Sequence, residues 1–206
     1  MEGAEEARRQ REQLDKYLRW VREEGEADAP THLETLFRPE QQQRLMWLKE
    51  HCEGSVAEIG CCYGFILAFC DGQVGVDINP QNVLLAQVLN PRKIFFEGDI
   101  RALSLSDSFV DTVMVADCLE HIPWEDVPKA LSEALRVARK KVLITMPNAE
   151  YATRTSSLFK HTFLLTQDRF EAILDMLRDH EVHFERNYFW VLIEVRLLDS
   201  NNRGRH

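Results

Sequence analysis

The segment from Val56 to Gly64, V-A-E-I-G-C-C-Y-G, constrains the fold of this chain more than any other segment. Its first four residues combine three apolar side chains with one acid, which is typical of a short buried strand. Two glycines then bracket a turn, where they let the backbone approach a ligand or another segment closely. A second apolar run, from Val74 to Asp77, ends in an acid. This order predicts the first β-turn-α-β unit of a nucleotide-binding α/β sheet.

Composition limits the class of protein. The 206 residues suffice for one α/β domain with a small appendage, and the net charge of -9 disfavours an extended nucleic-acid interface. No apolar run reaches the roughly 18 to 20 residues of a membrane helix, and the charged N-terminus shows no secretory signal. Five cysteines without a C-x-x-C pair predict reduced thiols in a cytoplasmic protein. Because no C-x-x-C pair is present, no structural zinc site is predicted, and no metal site of any kind is expected.

Helical and strand patterns alternate along the chain. Helices are predicted at 39–51, 65–70, 79–90, 124–138 and 166–179, and strands after the first at 73–77, 93–96, 110–116, 140–146, 181–185 and 189–198. Residues 151–160 are predicted to form a loop over the carboxyl edge of the sheet. This alternation predicts a mostly parallel sheet with helices on both faces and an antiparallel C-terminal strand pair.

The predicted domain organisation has three parts. Residues 1–52 form an N-terminal helical segment, 53–198 the ligand-binding domain, and 199–206 a polar tail. Residues 1–26 carry a narrow apolar stripe at helical spacing. Three interpretations of this helix stay open. It packs on the domain surface, it forms a lid over the ligand pocket, or it is a partner-binding helix or a frayed tail.

The glycine spacing separates two ligand classes. A dinucleotide fingerprint needs small residues at three positions, G-x-G-x-x-G. Gly60 fills the first position, but Cys62 and Phe65 fill the other two. Phenylalanine at the third position argues against NAD, because that position allows close helix–strand packing. The observed G-x-x-x-G spacing favours a ligand without phosphate, whose amino acid part lies against the turn.

Four successive motifs resemble those of class I S-adenosylmethionine-dependent methyltransferases: A-E-I-G-C-C-Y-G, V-G-V-D-I-N-P, E-G-D-I and V-A-D-C-L-E-H-I. The resemblance runs from about Ser55 to Asn148 and departs at Cys62, where the family usually has glycine. It implies a Rossmann-like fold with a seven-stranded sheet, and S-adenosyl-L-methionine as the cofactor. The implied reaction is in-line transfer of a methyl group to an O, N or C nucleophile of a small molecule.

The resemblance also implies which residues contact the cofactor. The set is Glu58, Gly60, Cys62, Gly64, Asp77, Ile78, Asp99, Ile100 and Asp117. Glu58 would order the glycine turn, and Asp77 would accept hydrogen bonds from both ribose hydroxyls, since a carboxylate can bind a diol through two oxygens. Asp99 would accept the adenine amino group, with the backbone N–H of Ile100 near the ring.

Two residues are candidates for catalysis. By the resemblance, Asp117 ends the fourth strand and faces the transferable methyl group. His121 could act as a general base, because the pKa of free histidine lies near neutrality, although loop histidines are more often bystanders. Further side chains that could reach the substrate are Tyr151, Arg154, His161 and Tyr188.

Other functions stay open at this point. A cofactor-binding subunit without turnover is one alternative, motivated by Cys62, and a NAD-linked oxidoreductase is a weaker one. The expected partner is a small-molecule methyl acceptor rather than a nucleic acid, and a homodimer is left open.

Overall fold

The structure is a computed structural model that describes residues 38–152 and 161–198, together with Asp15 and Arg19. Most of the predicted N-terminal helix and the predicted tail lie outside these residues. The chain divides into two compact units, one up to Trp47 and the other from Leu48. In the described part of the chain, no helix combines the length and the apolar character needed to cross a membrane.

Helix α1, Pro39–His51, starts in the first unit at the predicted residue. Pro39 occupies the first helical position, where its missing N–H costs nothing, and Glu40 lies in the first turn near the positive end of the helix dipole. The local sequence signals therefore explain this helix start.

The second unit contains a seven-stranded sheet in the order β3-β2-β1-β4-β5-β7-β6. Its strands are β1 (Val56–Ile59), β2 (Val74–Asp77), β3 (Ile94–Glu97), β4 (Val110–Ala116), β5 (Ala138–Pro147), β6 (Glu181–Arg186) and β7 (Trp190–Arg196). Strands β1 to β5 pair in parallel, whereas β7 is antiparallel to both β5 and β6. The predicted mostly parallel sheet with its antiparallel C-terminal pair is confirmed.

Within residues 38–152 and 161–198, four further helices connect the strands, in addition to helical residues at 149–152. They are α2 (Phe65–Phe69), α3 (Pro80–Leu89), α4 (Val127–Val137) and α5 (Gln167–Met176), and short 3₁₀ turns cover Leu119–His121 and Trp124–Asp126. The helix predicted at 124–138 is thus divided, because the α-helix begins only next to Pro128, whose ring favours a first turn. Residues 151 and 152 are helical rather than part of a loop, and 153–160 lie outside the described residues.

Helices lie on both faces of the sheet. In β1, Ala57 and Ile59 belong to a core cluster that also contains buried residues of α4 and α5. The intervening Glu58 points to the opposite face, since side chains alternate along a strand, and its carboxylate accepts the Leu67 N–H of α2 at 2.7 Å. Helices α2 and α4 therefore cover opposite faces.

The strand order reverses between β1 and β4. In open α/β sheets, ligands bind beyond the carboxyl ends of the strands at such a reversal. The turn after β1 and the segment after β4 flank this place. They also meet there, because a Cβ atom placed on Gly60 would lie 2.5 Å from the Sγ atom of Cys118.

Candidate active site

The turn after β1 has an unusual backbone. Gly60, Cys62 and Gly64 all have positive φ angles, of 78°, 47° and 71°. Gly60 also leaves room for Cys118, and a Cβ on Gly64 would lie 2.7 Å from the Phe95 ring. Backbone conformation and packing therefore both require the two glycines, whereas Cys62 adopts a left-handed conformation that disfavours a side chain.

Two buried carboxylates support this turn. Glu58 binds the N–H of Leu67 in the first turn of α2, and Asp77 Oδ2 accepts the N–H of Cys62 at 2.7 Å. A carboxylate at the start of a helix is favoured by the helix dipole. Glu58 therefore lies behind the glycine turn, and its part in holding a cofactor stays a prediction.

Asp77 has more partners than the sequence suggested. Its Oδ1 atom accepts the N–H of Asn79 at 2.9 Å and the side-chain amide of Asn82 at 3.0 Å. A carboxylate offers about four acceptor positions, and the hydrogen bonds from Cys62, Asn79 and Asn82 fill three of them. Binding both hydroxyls of a diol therefore requires the Asn82 amide to turn away. Sequence analysis missed Asn82. The available signal was the position of this residue in the first turn of α3.

The segment after β3 carries the predicted adenine contacts. Asp99 is held by Arg101, whose Nη2 atom lies 2.6 Å from Oδ2, and this hydrogen bonding lowers the pKa of Asp99 below its ordinary value. Arg101 also binds Asp126 at 2.8 Å. Ile100 is buried, whereas Ile78 after β2 is 62% exposed and offers an apolar surface at the same edge. An adenine amino group would share Asp99 with Arg101, a partner that sequence analysis missed.

Two cysteines at this edge, Cys61 and Cys118, lack the character of nucleophiles. All five cysteines of the chain are free thiols. Burial raises the pKa of Cys61 and of Cys118, and nearby carboxylates raise it further. Both side chains are therefore protonated at neutral pH and lack the thiolate that reacts.

Asp117 directly follows β4, with a φ of 50°. Its N–H binds the carbonyl oxygen of Thr145 in β5 at 3.0 Å, and its Oδ1 atom accepts the Thr145 hydroxyl at 3.0 Å. The strand neighbour thus fixes the Asp117 side chain at the carboxyl edge of the sheet.

Three side chains of types that can bind a metal ion lie close together beyond Asp117. One ligand atom each of Glu120, His121 and His161 lies within 4.8 Å of the others. The rings of the two histidines meet edge to face with centroids 5.2 Å apart. Burial lowers the pKa of His161, against an opposing effect of the Asp117 carboxylate. Of these residues, sequence analysis singled out His121 for catalysis and named His161 only as a substrate-side candidate. It did not foresee that they meet at Glu120.

An aromatic cluster borders the same edge near the start of β7. The Tyr151 ring contacts those of Phe189 and Trp190, with centroid distances of 5.3 and 5.9 Å, and the Tyr188 ring lies 5.1 Å from Phe189. Tyr151 and Tyr188 were predicted on the substrate side, and the structure places them together. Arg154 lies outside the described residues.

Comparisons with known proteins agree with this architecture. A family profile described as "Methyltransferase domain" matches residues 57–146. No curated protein matches the sequence significantly. A solved structure of an S-adenosylmethionine-dependent methyltransferase from Thermotoga maritima, described as a possible histamine N-methyltransferase, is similar with a TM-score of 0.64 and 16% identity. The similarity covers 88% of this chain and 94% of that one.

Two further solved structures show the same fold. Magnesium protoporphyrin IX methyltransferase from Synechocystis, with bound S-adenosylhomocysteine, has a TM-score of 0.57 and 17% identity over 76% of this chain and 81% of that one. The small RNA methyltransferase HEN1 has a TM-score of 0.64 and 19% identity over 80% of this chain but only 26% of its own. The profile match favours a methyltransferase over the NAD-linked oxidoreductase.

The strand order, the glycine turn and the profile match agree. The predicted Rossmann-like fold, with its seven-stranded sheet and antiparallel C-terminal strand pair, is confirmed. Residues 57–146 of this chain match a methyltransferase domain, and its fold resembles that of class I S-adenosylmethionine-dependent methyltransferases.

Proposed function

We propose that this protein transfers the methyl group of S-adenosylmethionine to an O, N or C nucleophile of a small molecule. One observation carries the proposal. The turn after β1, supported by Glu58 and Asp77, and the segment after β4, with Asp117 and His121, meet at the strand-order reversal. A cofactor subsite and an acceptor subsite therefore share one edge of the sheet.

The residues at this edge suit the cofactor. Gly60 and Gly64 adopt positive φ angles and leave both ends of the turn without side chains. The buried Asp77 carboxylate lies beside this turn. The exposed Ile78 offers an apolar surface for a ring. In the proposed site these residues hold the amino acid, ribose and adenine parts, with Cys62, Asp99 and Ile100 as further contacts. When bound, the cofactor supplies an electrophilic methyl group on a sulfonium.

The protein's own task is to orient the acceptor and exclude water, since alignment of two reactants removes a large part of the barrier to such a displacement. Asp117, fixed by Thr145, lines the acceptor side. His121, four residues further along the chain, contributes to removing the proton from a protonated nucleophile. The aromatic rings of Tyr151 and Tyr188 offer contact to an apolar part of the acceptor.

The charge of the chain supports a small acceptor. HEN1 acts on small RNA by its printed name, but the net charge of -9 opposes contact with a phosphate backbone. The proposal keeps a cytoplasmic location, supported by five free thiols. A cofactor-binding subunit without turnover is the second candidate, since Cys62 is strained and Asp77 is largely engaged.

Calorimetry with S-adenosylhomocysteine tests the cofactor subsite. The wild-type protein should bind the ligand, and Asp77→Ala should weaken binding at least about tenfold, since hydrogen bonds to a charged group contribute about 1.5–3 kcal/mol. Asp175→Ala on α5, an exposed carboxylate, is the matched control and should bind as the wild type does. Equal affinity of all three proteins would contradict the assignment of Asp77.

Turnover is tested by following S-adenosylhomocysteine production with amines, phenols, carboxylic acids and short RNA as acceptors. Production with a small acceptor supports the proposal. Production with RNA alone overturns the acceptor class, and binding without production by any acceptor favours the non-catalytic subunit.

A further inference from the structure

We propose that Glu120, His121 and His161 bind a divalent metal ion beside the acceptor subsite. Their ligand atoms already lie within 4.8 Å of one another. Donor atoms bonded to one metal at about 2.1 Å lie about 3 Å apart when they are adjacent, so small side-chain rotations close the site. Sequence analysis expected no metal site, because the chain has no C-x-x-C pair. It did not detect these ligands, which come from two distant segments.

The two segments are tied together at the site. The backbone N–H and the hydroxyl of Thr162 both donate to the carbonyl oxygen of Glu120, at 2.8 and 3.0 Å, and the hydroxyl also bonds the carbonyl of Ile122. One residue further, the Phe163 ring packs edge to face on Trp124 with centroids 5.1 Å apart. His161 is therefore held next to Glu120 and His121, and metal affinity depends on such preorganised ligands.

The burial of the three ligands suits a cation with open positions. Glu120 is only 2% exposed, and a carboxylate buried this deeply is strongly favoured by a nearby positive charge. His121 is exposed, so one side of the site faces outward. Three protein ligands with open positions are the arrangement of catalytic rather than structural metal sites.

The donor set indicates the class of metal. Two imidazoles and one carboxylate, without thiolate, suit Mn²⁺, Fe²⁺, Co²⁺ or Zn²⁺ better than Ca²⁺, which prefers an all-oxygen shell. Asp117 directly follows β4, and Glu120 and His121 lie in the 3₁₀ turn right after it, so the metal would lie next to the acceptor side.

The role of the metal rests on the proposed function. An acceptor hydroxyl that binds the open position has a lowered pKa. Its O–H bond breaks, the electron pair stays on the metal-bound oxygen, and the proton passes to water. His121 then contributes to proton removal by holding the metal instead of taking the proton itself.

The test uses the full chain after treatment with EDTA and dialysis. Calorimetry with Mn²⁺, and the visible absorption of Co²⁺, should show one metal per chain. His121→Ala and His161→Ala should each lose at least about tenfold in affinity, or about 1.4 kcal/mol. His183→Ala is the matched control, since His183 is exposed on β6 and pairs with Glu181. Because Glu120→Gln changes a buried residue, the two histidine variants decide the outcome.

Absence of stoichiometric binding, or equal affinity in the wild type and in both site variants, overturns the metal site. Titration of S-adenosylhomocysteine in EDTA, on the same samples, separates this inference from the proposed function. If the protein binds no metal but still binds S-adenosylhomocysteine, the metal site is overturned and the proposed function stays intact. Stoichiometric metal binding that needs His121 and His161 supports the inference even in protein that fails to bind S-adenosylhomocysteine.

Discussion

Cys62 is the single residue whose backbone is least suited to its side chain. Its φ of 47° lies in the left-handed region, at a position where the family usually has glycine, and its N–H binds Asp77. A side chain in this conformation costs roughly 1–2 kcal/mol, whereas glycine loses about 0.5–1 kcal/mol more chain entropy on folding. The free-energy cost of the left-handed conformation at Cys62 thus exceeds the cost of the additional chain entropy that glycine would lose on folding.

Cys62→Gly should therefore stabilise the fold by about 0.5–1 kcal/mol in urea unfolding and tighten S-adenosylhomocysteine binding. The matched control is Asp71→Gly, because Asp71 also has a positive φ, of 56°, but lies at the end of α2 away from the carboxyl edge. It should stabilise the fold without changing the affinity. Weaker ligand binding in Cys62→Gly would show that the thiol itself contacts the ligand.

Strands β1 and β4 are joined by a carboxylate at their amino ends. Asp111 accepts the N–H and the hydroxyl of Ser55 at 3.0 and 3.1 Å and pairs with Arg139 at 2.9 Å. The hydrogen bond from the Ser55 backbone is the main cause that lowers the pKa of Asp111 to about 2. This contact fixes the strand next to the ligand-binding turn.

The lowered pKa predicts a pH dependence of stability. Between the folded pKa of Asp111, about 2, and its ordinary value near 4, the unfolded chain binds more protons. Stability from this contact is therefore present above about pH 4 and lost as the pH falls towards 2. Urea unfolding of Asp111→Asn should show a smaller loss across this window than the wild type. Ser55→Ala, which keeps the carboxylate, should show an intermediate loss, and identical profiles of all three proteins would contradict the prediction.

Strands β5 and β7 are joined by a buried ion pair. Lys141 Nζ lies 3.0 Å from Glu194 Oε1, and the two side chains are only 10% and 5% exposed. Removing one partner of such a pair leaves a buried charge uncompensated. Arg196 also pairs with Glu194 and retains part of the compensation.

Lys141→Met should therefore destabilise the protein by about 3 kcal/mol, the lower end of the range for broken buried pairs. Arg178→Met is the control, because Arg178 forms an exposed pair with Asp175, and it should change stability by less than about 1 kcal/mol. Chemical denaturation of both variants measures the difference. Equal effects would mean that the buried pair contributes no more than the surface pair.

The protein as a unit should respond to its cofactor in thermal unfolding. A ligand that binds only the folded state stabilises it by about 2.7 kcal/mol at one hundred times its dissociation constant. For a chain of this size, each kcal/mol raises the Tm by roughly 2–4 °C, so S-adenosylhomocysteine should raise the Tm by about 5–10 °C. NADH at the same concentration should leave the Tm unchanged, and a shift with NADH alone would contradict the cofactor assignment.

Local patterns in the sequence determined the fold class. Alternating apolar residues, the glycines at positions 60 and 64 and the acids at or next to the ends of β1, β2 and β4 predicted the parallel sheet and its carboxyl edge. Such features act over a few residues, because turn conformation and strand alternation depend on near neighbours in the chain. The less accurate predictions were helix boundaries, such as the divided helix at 124–138, where proline geometry decided the start.

Tertiary structure alone determined which partners the site residues have. Asn82 on Asp77, Arg101 on Asp99, and His161 beside Glu120 are pairings that local patterns do not specify. Thr162 and Glu120 are 42 residues apart, and packing of their segments brings them into contact. Alternation and turn signals place each side chain at the edge of the sheet, but its hydrogen bonds depend on how separate loops meet there.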